Sequence, residues 1–208
     1  MPWEWHVPLF EHAAKVGITI FSSPFDDTAI ELLESIGAPA YKIASFEAID
    51  LPLIRRAAAT RKPLIISTGM ADDTEIAEAV EAAREGGCEQ LALLHCVSGY
   101  PAPAADYNLR TIPDMAARHG TVVGLSDHTL DNTTALTAVA LGAAIFEKHF
   151  TLDRSGGGPD DSFSLEPEGL QELCTGVRTA WDALGAVDYG RKSSEQGNAQ
   201  FRRSLYWV

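Results

Sequence analysis

Short apolar runs alternate with segments of helical periodicity along this chain, and this alternation limits its fold more than any other feature. We predict six strands, at residues 17–23, 40–45, 63–69, 91–98, 121–127 and 144–150. The segments between them, such as 26–37, 72–87 and 132–143, have apolar residues at helical spacing, with Asp or Asn near the start and Gly near the end. Such alternation is typical of parallel strands joined by crossover helices, so the predicted fold class is α/β.

Polar residues end nearly every predicted strand, and they favour a closed barrel over an open doubly wound sheet. An open sheet gathers its ligand site at one switch point, whereas all strand ends of a barrel face one mouth. We therefore predict a (β/α)8 TIM barrel. With about six βα units and a helix-like opening, "VPLFEHAAKVG", the barrel is expected to be incomplete, with its first two strands absent.

The chain is expected to divide near residue 186. Residues 1–186 would form the partial barrel, ending with a long helix at about 167–185. A polar stretch rich in Gly, Ser, Lys and Arg follows, and then the run "FRRSLYWV". We interpret residues 187–208 as a linker and the start of a further domain.

Charge and apolar content exclude some classes of partner. Asp and Glu outnumber Lys and Arg by 29 to 16, and the net charge of −13 argues against nucleic acid or an anionic membrane as the main partner. No apolar stretch approaches the roughly 20 residues of a transmembrane helix, and "MPWEWHVPLF" does not resemble a signal peptide. Three cysteines without C-x-x-C spacing indicate neither disulfides nor a zinc cluster. We expect a cytoplasmic protein.

Two histidines are candidate metal ligands. His128 and His149 each follow a predicted strand, and the two strands are consecutive, so both rings are expected to face the barrel mouth. A pair of imidazoles suits a divalent transition metal that keeps open positions for water and substrate. Alternatively, each ring merely hydrogen-bonds its neighbours. Asp127 could orient a ring nitrogen of His128.

One lysine and three serines form a candidate anion site. Lys42, Ser45, Ser67 and Ser126 come from three strands and would suit a phosphate or a carboxylate. A lysine inside a strand is costly to bury without an anionic partner. That partner could equally be structural, either Glu47 or Glu147.

Two acidic residues are candidates for substrate contact. Glu47 lies two residues after Ser45 and could hold a sugar hydroxyl or transfer a proton. Asp160 lies in the Gly-rich stretch 154–167, where barrels often bind substrate, although a solvated turn is the alternative.

Several motifs together resemble the sialic acid synthase family, in its order, from about residue 17 to the end. They are "FSSPFD", "YKIASFE", "IISTGM", "LLHCVSGYPAP", "GLSDHT", "EKHFTLD", "GGPDDSFSLEP" and "RRSLY". The resemblance implies an enzyme that condenses phosphoenolpyruvate with an N-acetylated hexose to a nonulosonic acid and releases phosphate. "WEWH", Phe46 and "SFSLEP" resemble the pseudaminic acid synthase branch, whose acceptor is a di-N-acetylated 6-deoxyhexose. N-acetylneuraminate or legionaminate synthesis is the alternative within the family.

The resemblance also assigns roles to residues. It implies that His128 and His149 bind Mn²⁺ or Mg²⁺ and that Glu47 and Asp160 lie near the sugar. Phosphoenolpyruvate contacts are implied for Lys42, Ser45, Ser67 and Ser126, and less firmly for Ser98. Glu47, Lys42 and Asp160 would be the catalytic residues.

Family members are typically homodimers through a C-terminal antifreeze-like domain, and they carry a catalytic Glu on the first barrel strands. Neither that domain nor those strands are matched here, so the chain alone is expected to be weakly active or inactive. Two other readings stay open: a barrel fragment that serves as a binding or assembly module, and an aldolase with a Schiff-base lysine, Lys42 or Lys148.

Overall fold

A computed structural model describes residues 1–202 of the chain. Residues 203–208, which include most of "RRSLY", lie outside the described residues. The described part of the proposed linker contains a 3-10 helix, Ser193–Phe201. The assignment of 187–208 to a linker and a further domain stays a prediction.

A parallel sheet with crossover helices forms the described structure. The strands are β1 (Tyr41–Ile43), β2 (Leu64–Ser67), β3 (Leu91–Cys96), β4 (Val122–Ser126) and β5 (Phe146–Glu147). The helices are α1 (His6–Val16), α2 (Asp27–Ser35), α3 (Leu51–Ala58), α4 (Asp73–Glu85), α5 (Thr111–His119), α6 (Thr133–Ala140) and α7 (Pro167–Leu184). The strands lie side by side in chain order, each parallel to the next. This is the curled sheet of an incomplete (β/α)8 barrel, so the predicted fold class is confirmed.

The helix signals in the sequence correspond to real caps. The Asp26 carboxylate accepts a hydrogen bond from the Ala29 N–H at the start of α2. At the start of α4, Asp72 and Glu75 form a capping box, in which each carboxylate accepts from the other residue's backbone N–H. These contacts satisfy N–H groups that have no partner within the helix.

The prediction of a regular strand at residues 17–23 was wrong. It contributes a single bridge, between Ser22 and Tyr41, and the Lys42 N–H donates to the Ser22 carbonyl at 3.2 Å. Among the described residues this segment pairs with β1 alone, and Ile18 is 65% exposed. With one bridge and one hydrogen bond to β1, the segment lacks the repeated ladder contacts of a regular strand. The last predicted strand, 144–150, is shortened to β5.

The core lies between the sheet and its helices. Its fully buried strand side chains include Tyr41, Ile43, Leu64, Ile66, Leu93 and Leu125. Because successive strand residues point to opposite faces, the residues that alternate with them point to the concave side. The polar members of this second set, from Lys42 to Glu147, line a cavity. Within residues 1–202, none of the helices is long and apolar enough to span a bilayer.

Candidate active site

The strand register brings the polar strand ends to one level. Ser126 is the register partner of both Cys96 on β3 and Glu147 on β5. The Ser126 hydroxyl donates to Glu147 Oε1 at 2.8 Å. His128 and His149 each lie two residues further along the chain, which places them on the same face, and their ring centroids are 5.3 Å apart.

A cavity of about 360 Å³ opens at this level. Its lining residues are Ser23, Lys42, Ala44, Ser45, Ser67, Cys96, Tyr100, Ser126, His128, Glu147, Lys148 and His149. Six of the nine predicted site residues are thus brought together around one cavity. The other three, Glu47, Ser98 and Asp160, lie beside it.

An oxygen atom lies near Nδ1 of each histidine ring. The Nδ1–H of His128 donates to the Val97 carbonyl at 2.8 Å, whereas Nδ1 of His149 lies 3.5 Å from the Asp160 carboxylate, which is long for a hydrogen bond. A ring whose Nδ1–H is bound by an oxygen acceptor keeps the lone pair on Nε2, which is how metal-binding histidines are usually oriented. His128 is therefore oriented in this way, and Asp160 orients His149 more loosely.

The pKa values of the two histidines are shifted in opposite directions. Burial disfavours the charged ring of His128, but the Cys96 thiol and the Val97 carbonyl outweigh it and raise the pKa of His128 above its ordinary value. Burial, together with the charge of His128, lowers the pKa of His149. The His128 ring lies beside Cys96 because β3 and β4 are neighbours in register, and the spacing of the two residues in the sequence does not show this contact.

Asp127 does not orient His128, contrary to expectation. One of its carboxylate oxygens accepts from the Thr129 N–H at 2.9 Å, and the other lies 2.9 Å from Lys148 Nζ. Lys148 also donates to the carbonyls of Thr129 and Asp131, at 2.8 Å each. The ammonium is thus committed to a buried ion pair, which argues against a Schiff base at Lys148.

Lys42 lies at the other end of the cavity. Its Nζ donates to the Ser67 hydroxyl at 2.7 Å and to the Ile43 carbonyl at 3.3 Å. Glu147 Oε2 is 3.5 Å away, so of the two carboxylates considered from the sequence, Glu147 and not Glu47 is the ion-pair partner. This contact is longer than a charge-assisted hydrogen bond, so an anion in the cavity can compete for the ammonium.

Ser45 and Ser98 surround Gly69. The Ser45 hydroxyl accepts from the Gly69 N–H at 3.1 Å and donates to the Cys96 sulfur at 3.4 Å. A Cβ at residue 69 would lie 2.3 Å from Ser98 Oγ and 2.8 Å from Ser45 Oγ. Glycine is therefore required there for the two serines to keep their positions.

Glu47 ends the 3-10 helix Ser45–Glu47 that follows β1. Its Oε2 is buried and has no hydrogen-bond partner among the described residues. Burial raises the pKa of Glu47 above its ordinary value. A carboxyl group with a raised pKa beside a cavity is suited to proton transfer.

Two aromatic residues near the histidines were missed from the sequence. The Tyr100 ring centroid lies 4.3 Å from that of His128, and Phe163 lies 5.1 Å from His149 and 5.4 Å from Tyr100. Both residues come from loops that follow strands, "SGYPAP" and "DDSFSLEP". Position after a strand was the available signal, but loop residues have no periodicity that shows which side chains turn inward.

Comparison with known proteins identifies the group to which this site belongs. Residues 1–189 match the NeuB family. The chain belongs to the NeuB family. A pseudaminic acid synthase of Helicobacter pylori is 44% identical to this NeuB-family chain, over 100% of the chain and 61% of the relative. An N,N'-diacetyllegionaminic acid synthase of Campylobacter jejuni is 41% identical, over 96% of the chain and 61% of the relative.

A solved structure agrees with these sequence matches. The N-acetylneuraminic acid synthetase of Leptospira borgpetersenii, solved in complex with citrate, superposes with a TM-score of 0.88 at 35% identity. That match covers 99% of this chain and 72% of the other. The chain spans about three fifths of the length of the two curated relatives.

Proposed function

We propose that this NeuB-family chain forms the phosphoenolpyruvate- and metal-binding part of a nonulosonic acid synthase. The reaction would join C3 of phosphoenolpyruvate to the aldehyde carbon of an N-acetylated hexose, add water at C2 and release phosphate. We favour a di-N-acetylated 6-deoxyhexose as the acceptor, because the Helicobacter relative is a pseudaminic acid synthase. Legionaminate or N-acetylneuraminate synthesis is the alternative within the family.

One observation carries the proposal. His128 and His149 share a cavity with the buried Lys42 and four serines, three of which, Ser45, Ser67 and Ser126, are predicted site residues. A cation position and an anion position thus lie side by side. A two-substrate reaction between an enol phosphate and an aldehyde needs both.

The residues present fit a divalent transition metal such as Mn²⁺. His128 and His149 would hold it through Nε2, and oxygen atoms of water and substrate, the ligands that Mn²⁺ and Mg²⁺ prefer, would fill the other positions. Within residues 1–202, no group of three or more His, Cys, Asp or Glu side chains is arranged around one point, so the remaining positions would be open to water and substrate. When bound, such an ion acts as a Lewis acid on a carbonyl oxygen. Asp160 would keep the His149 ring oriented, and the exposed side of the Asp160 carboxylate would face the acceptor sugar.

Lys42 and the serines would hold phosphoenolpyruvate. An anion that approaches Lys42 Nζ would replace its loose contact with Glu147, while Ser67 keeps the ammonium in place. Ser45 and Ser126, with Ser98 nearby, would donate to the phosphate and carboxylate oxygens. Such contacts fix the position of the enol carbon before reaction. Glu47 would move a proton near the acceptor.

The net charge of −13 makes nucleic acid and anionic lipid poor partners. We propose small molecules as the partners and the cytoplasm as the compartment. Full activity is proposed for a protein of the relatives' length, of which this chain matches about three fifths.

Phosphoenolpyruvate binding tests the proposal. We expect saturable binding to the 208-residue chain, followed by ³¹P NMR, and a loss of affinity of about tenfold or more in a Lys42→Met variant, since a charge-assisted contact is worth roughly 1.5–3 kcal/mol. Lys62→Met is the matched control, because Lys62 pairs with Glu34 outside the cavity. Equal binding by both variants would overturn the assignment of Lys42.

Turnover then separates the alternatives within the family. The chain, for which we expect weak activity at most, is incubated at high concentration with Mn²⁺, phosphoenolpyruvate and either a di-N-acetylated 6-deoxyhexose or N-acetylmannosamine, and trace products are read by mass spectrometry. Nonulosonic acid from the first sugar alone supports the pseudaminic assignment. Product from the second alone contradicts it.

A further inference from the structure

Tyr107 contacts the candidate site from outside the cavity. It follows the 3-10 helix Ala104–Asp106 in the loop between β3 and α5, and its side chain is 0% exposed. Its hydroxyl oxygen accepts from the His128 N–H at 2.6 Å. The same hydroxyl donates to the Ser126 carbonyl at 3.4 Å. One buried hydroxyl therefore joins Ser126, which ends β4, to His128, two residues beyond it.

Tyr107 is also attached to β3. Its backbone carbonyl accepts a hydrogen bond from Nε2 of His95, and the two rings meet edge to face with centroids 6.2 Å apart. His95 points away from the cavity, so this contact lies behind the sheet. The loop is thus anchored to one strand while the Tyr107 hydroxyl reaches the next.

The loop that contains Tyr107 holds His128 at three points. Besides the bond from the His128 N–H to Tyr107, the His128 carbonyl accepts from the Ala102 N–H at 3.0 Å, and the ring Nδ1–H donates to the Val97 carbonyl at 2.8 Å. Two of these contacts use backbone groups that any sequence would supply. The contact with the Tyr107 hydroxyl depends on a side chain and can be removed by substitution.

We propose that Tyr107 is a positioning residue for His128. Its hydroxyl fixes the backbone at the end of β4, so that the ring keeps its bond to Val97 and presents Nε2 to the cation. This role depends on the proposed function only for the cation, which is the one that we assign to His128 and His149 above. In a Tyr107→Phe variant the buried His128 N–H loses its acceptor. A buried N–H without a partner is destabilising, so we expect the backbone at His128 to shift towards another acceptor.

Mn²⁺ affinity of the 208-residue chain tests the proposal, with Tyr41→Phe as the matched control. Tyr41 is also 0% exposed, and its hydroxyl donates to Glu34 at 2.5 Å, so the same deletion is made away from the cavity. We expect Tyr107→Phe to weaken Mn²⁺ binding by about tenfold or more, as loss of outer contacts to a metal ligand does. Tyr41→Phe should bind as the wild type does. Unchanged affinity in Tyr107→Phe would overturn the inference.

A second readout needs no metal. Nitrogen-15 NMR of the histidine rings at alkaline pH, where they are neutral, reports which nitrogen carries the proton. We expect His128 to be the Nδ1–H form in the wild type and in Tyr41→Phe, and a mixture of forms in Tyr107→Phe. If the wild type binds no Mn²⁺, the proposed cation site fails while this spectrum still decides the role of Tyr107. An unchanged His128 signal in Tyr107→Phe would refute that role.

Discussion

A Lys148→Met variant should lose much of the stability of the chain. The side chains of Lys148 and Asp127 are 3% and 1% exposed, and their charged atoms are 2.9 Å apart. The ammonium is also bound by two backbone carbonyls. The pair links the turn after β4 to the end of β5, and so it supports the segments that carry both histidines.

The expected loss follows from the burial of the pair. Removing one partner of a buried ion pair costs about 3–5 kcal/mol, because the other charge stays buried without compensation. In a chain of this length each kcal/mol lowers the melting temperature by roughly 2–4 °C, so we expect a decrease of about 6–20 °C. Replacing both partners, as in Lys148→Met with Asp127→Asn, should recover a large part of the loss, since no buried charge then remains.

Thermal unfolding followed by circular dichroism measures these differences. The control is Arg118→Met, which removes ion pairs with Asp73 and Asp114; all three side chains are more than half exposed. An exposed pair contributes about 0–1 kcal/mol, so this variant should melt close to the wild type. The reasoning is refuted if Lys148→Met melts no lower than Arg118→Met, or if the double variant is less stable than the single one.

Two further predictions concern packing and pH. Gly69→Ala should lower the free energy of unfolding by about 1–3 kcal/mol and weaken phosphoenolpyruvate binding, because the new Cβ would lie 2.3 Å from Ser98 Oγ. Gly99→Ala is the control, since its Cβ would meet nothing closer than 3.5 Å, and it should change neither stability nor binding. Burial opposes ionisation of Glu34, but its bonds to Lys62 and Tyr41 outweigh burial and lower its pKa. The ionised Glu34 therefore stabilises the fold above the unfolded-state value of about 4.3, and this contribution disappears as the pH falls through the lower folded value. Urea titrations between neutral and acid pH should show a flatter decline for Glu34→Gln, and a decline as steep as that of the wild type would contradict this.

The regular elements could be predicted from local sequence because their signals are local. Short apolar runs and helical patterns, with Asp26 and Asp72 at helix starts, indicated strands and helices that the structure contains. The segment 17–23 has the same apolar pattern, yet it makes one bridge. Whether an apolar run forms a regular strand depends on its neighbours in the sheet, and local composition does not give them.

Only part of the candidate site could be predicted from the sequence. His128 and His149 could be placed on one face because each ends a consecutive strand. The partner of Asp127 could not be predicted, because Lys148 reaches it from the next strand. The proximity of Cys96 to His128 depends on register between β3 and β4, and the contact of Tyr107 depends on the path of a loop. Each of these needs the relative position of distant segments.

Mn²⁺ binding by calorimetry tests the central claim most directly. The wild-type 208-residue chain is compared with a double variant, His128→Ala with His149→Ala, after circular dichroism has shown that both are folded. The account predicts saturable binding to the wild type that the double variant loses. Equal binding by the two proteins, or none by a folded wild type, would contradict the claim that the ends of β4 and β5 form a cation site.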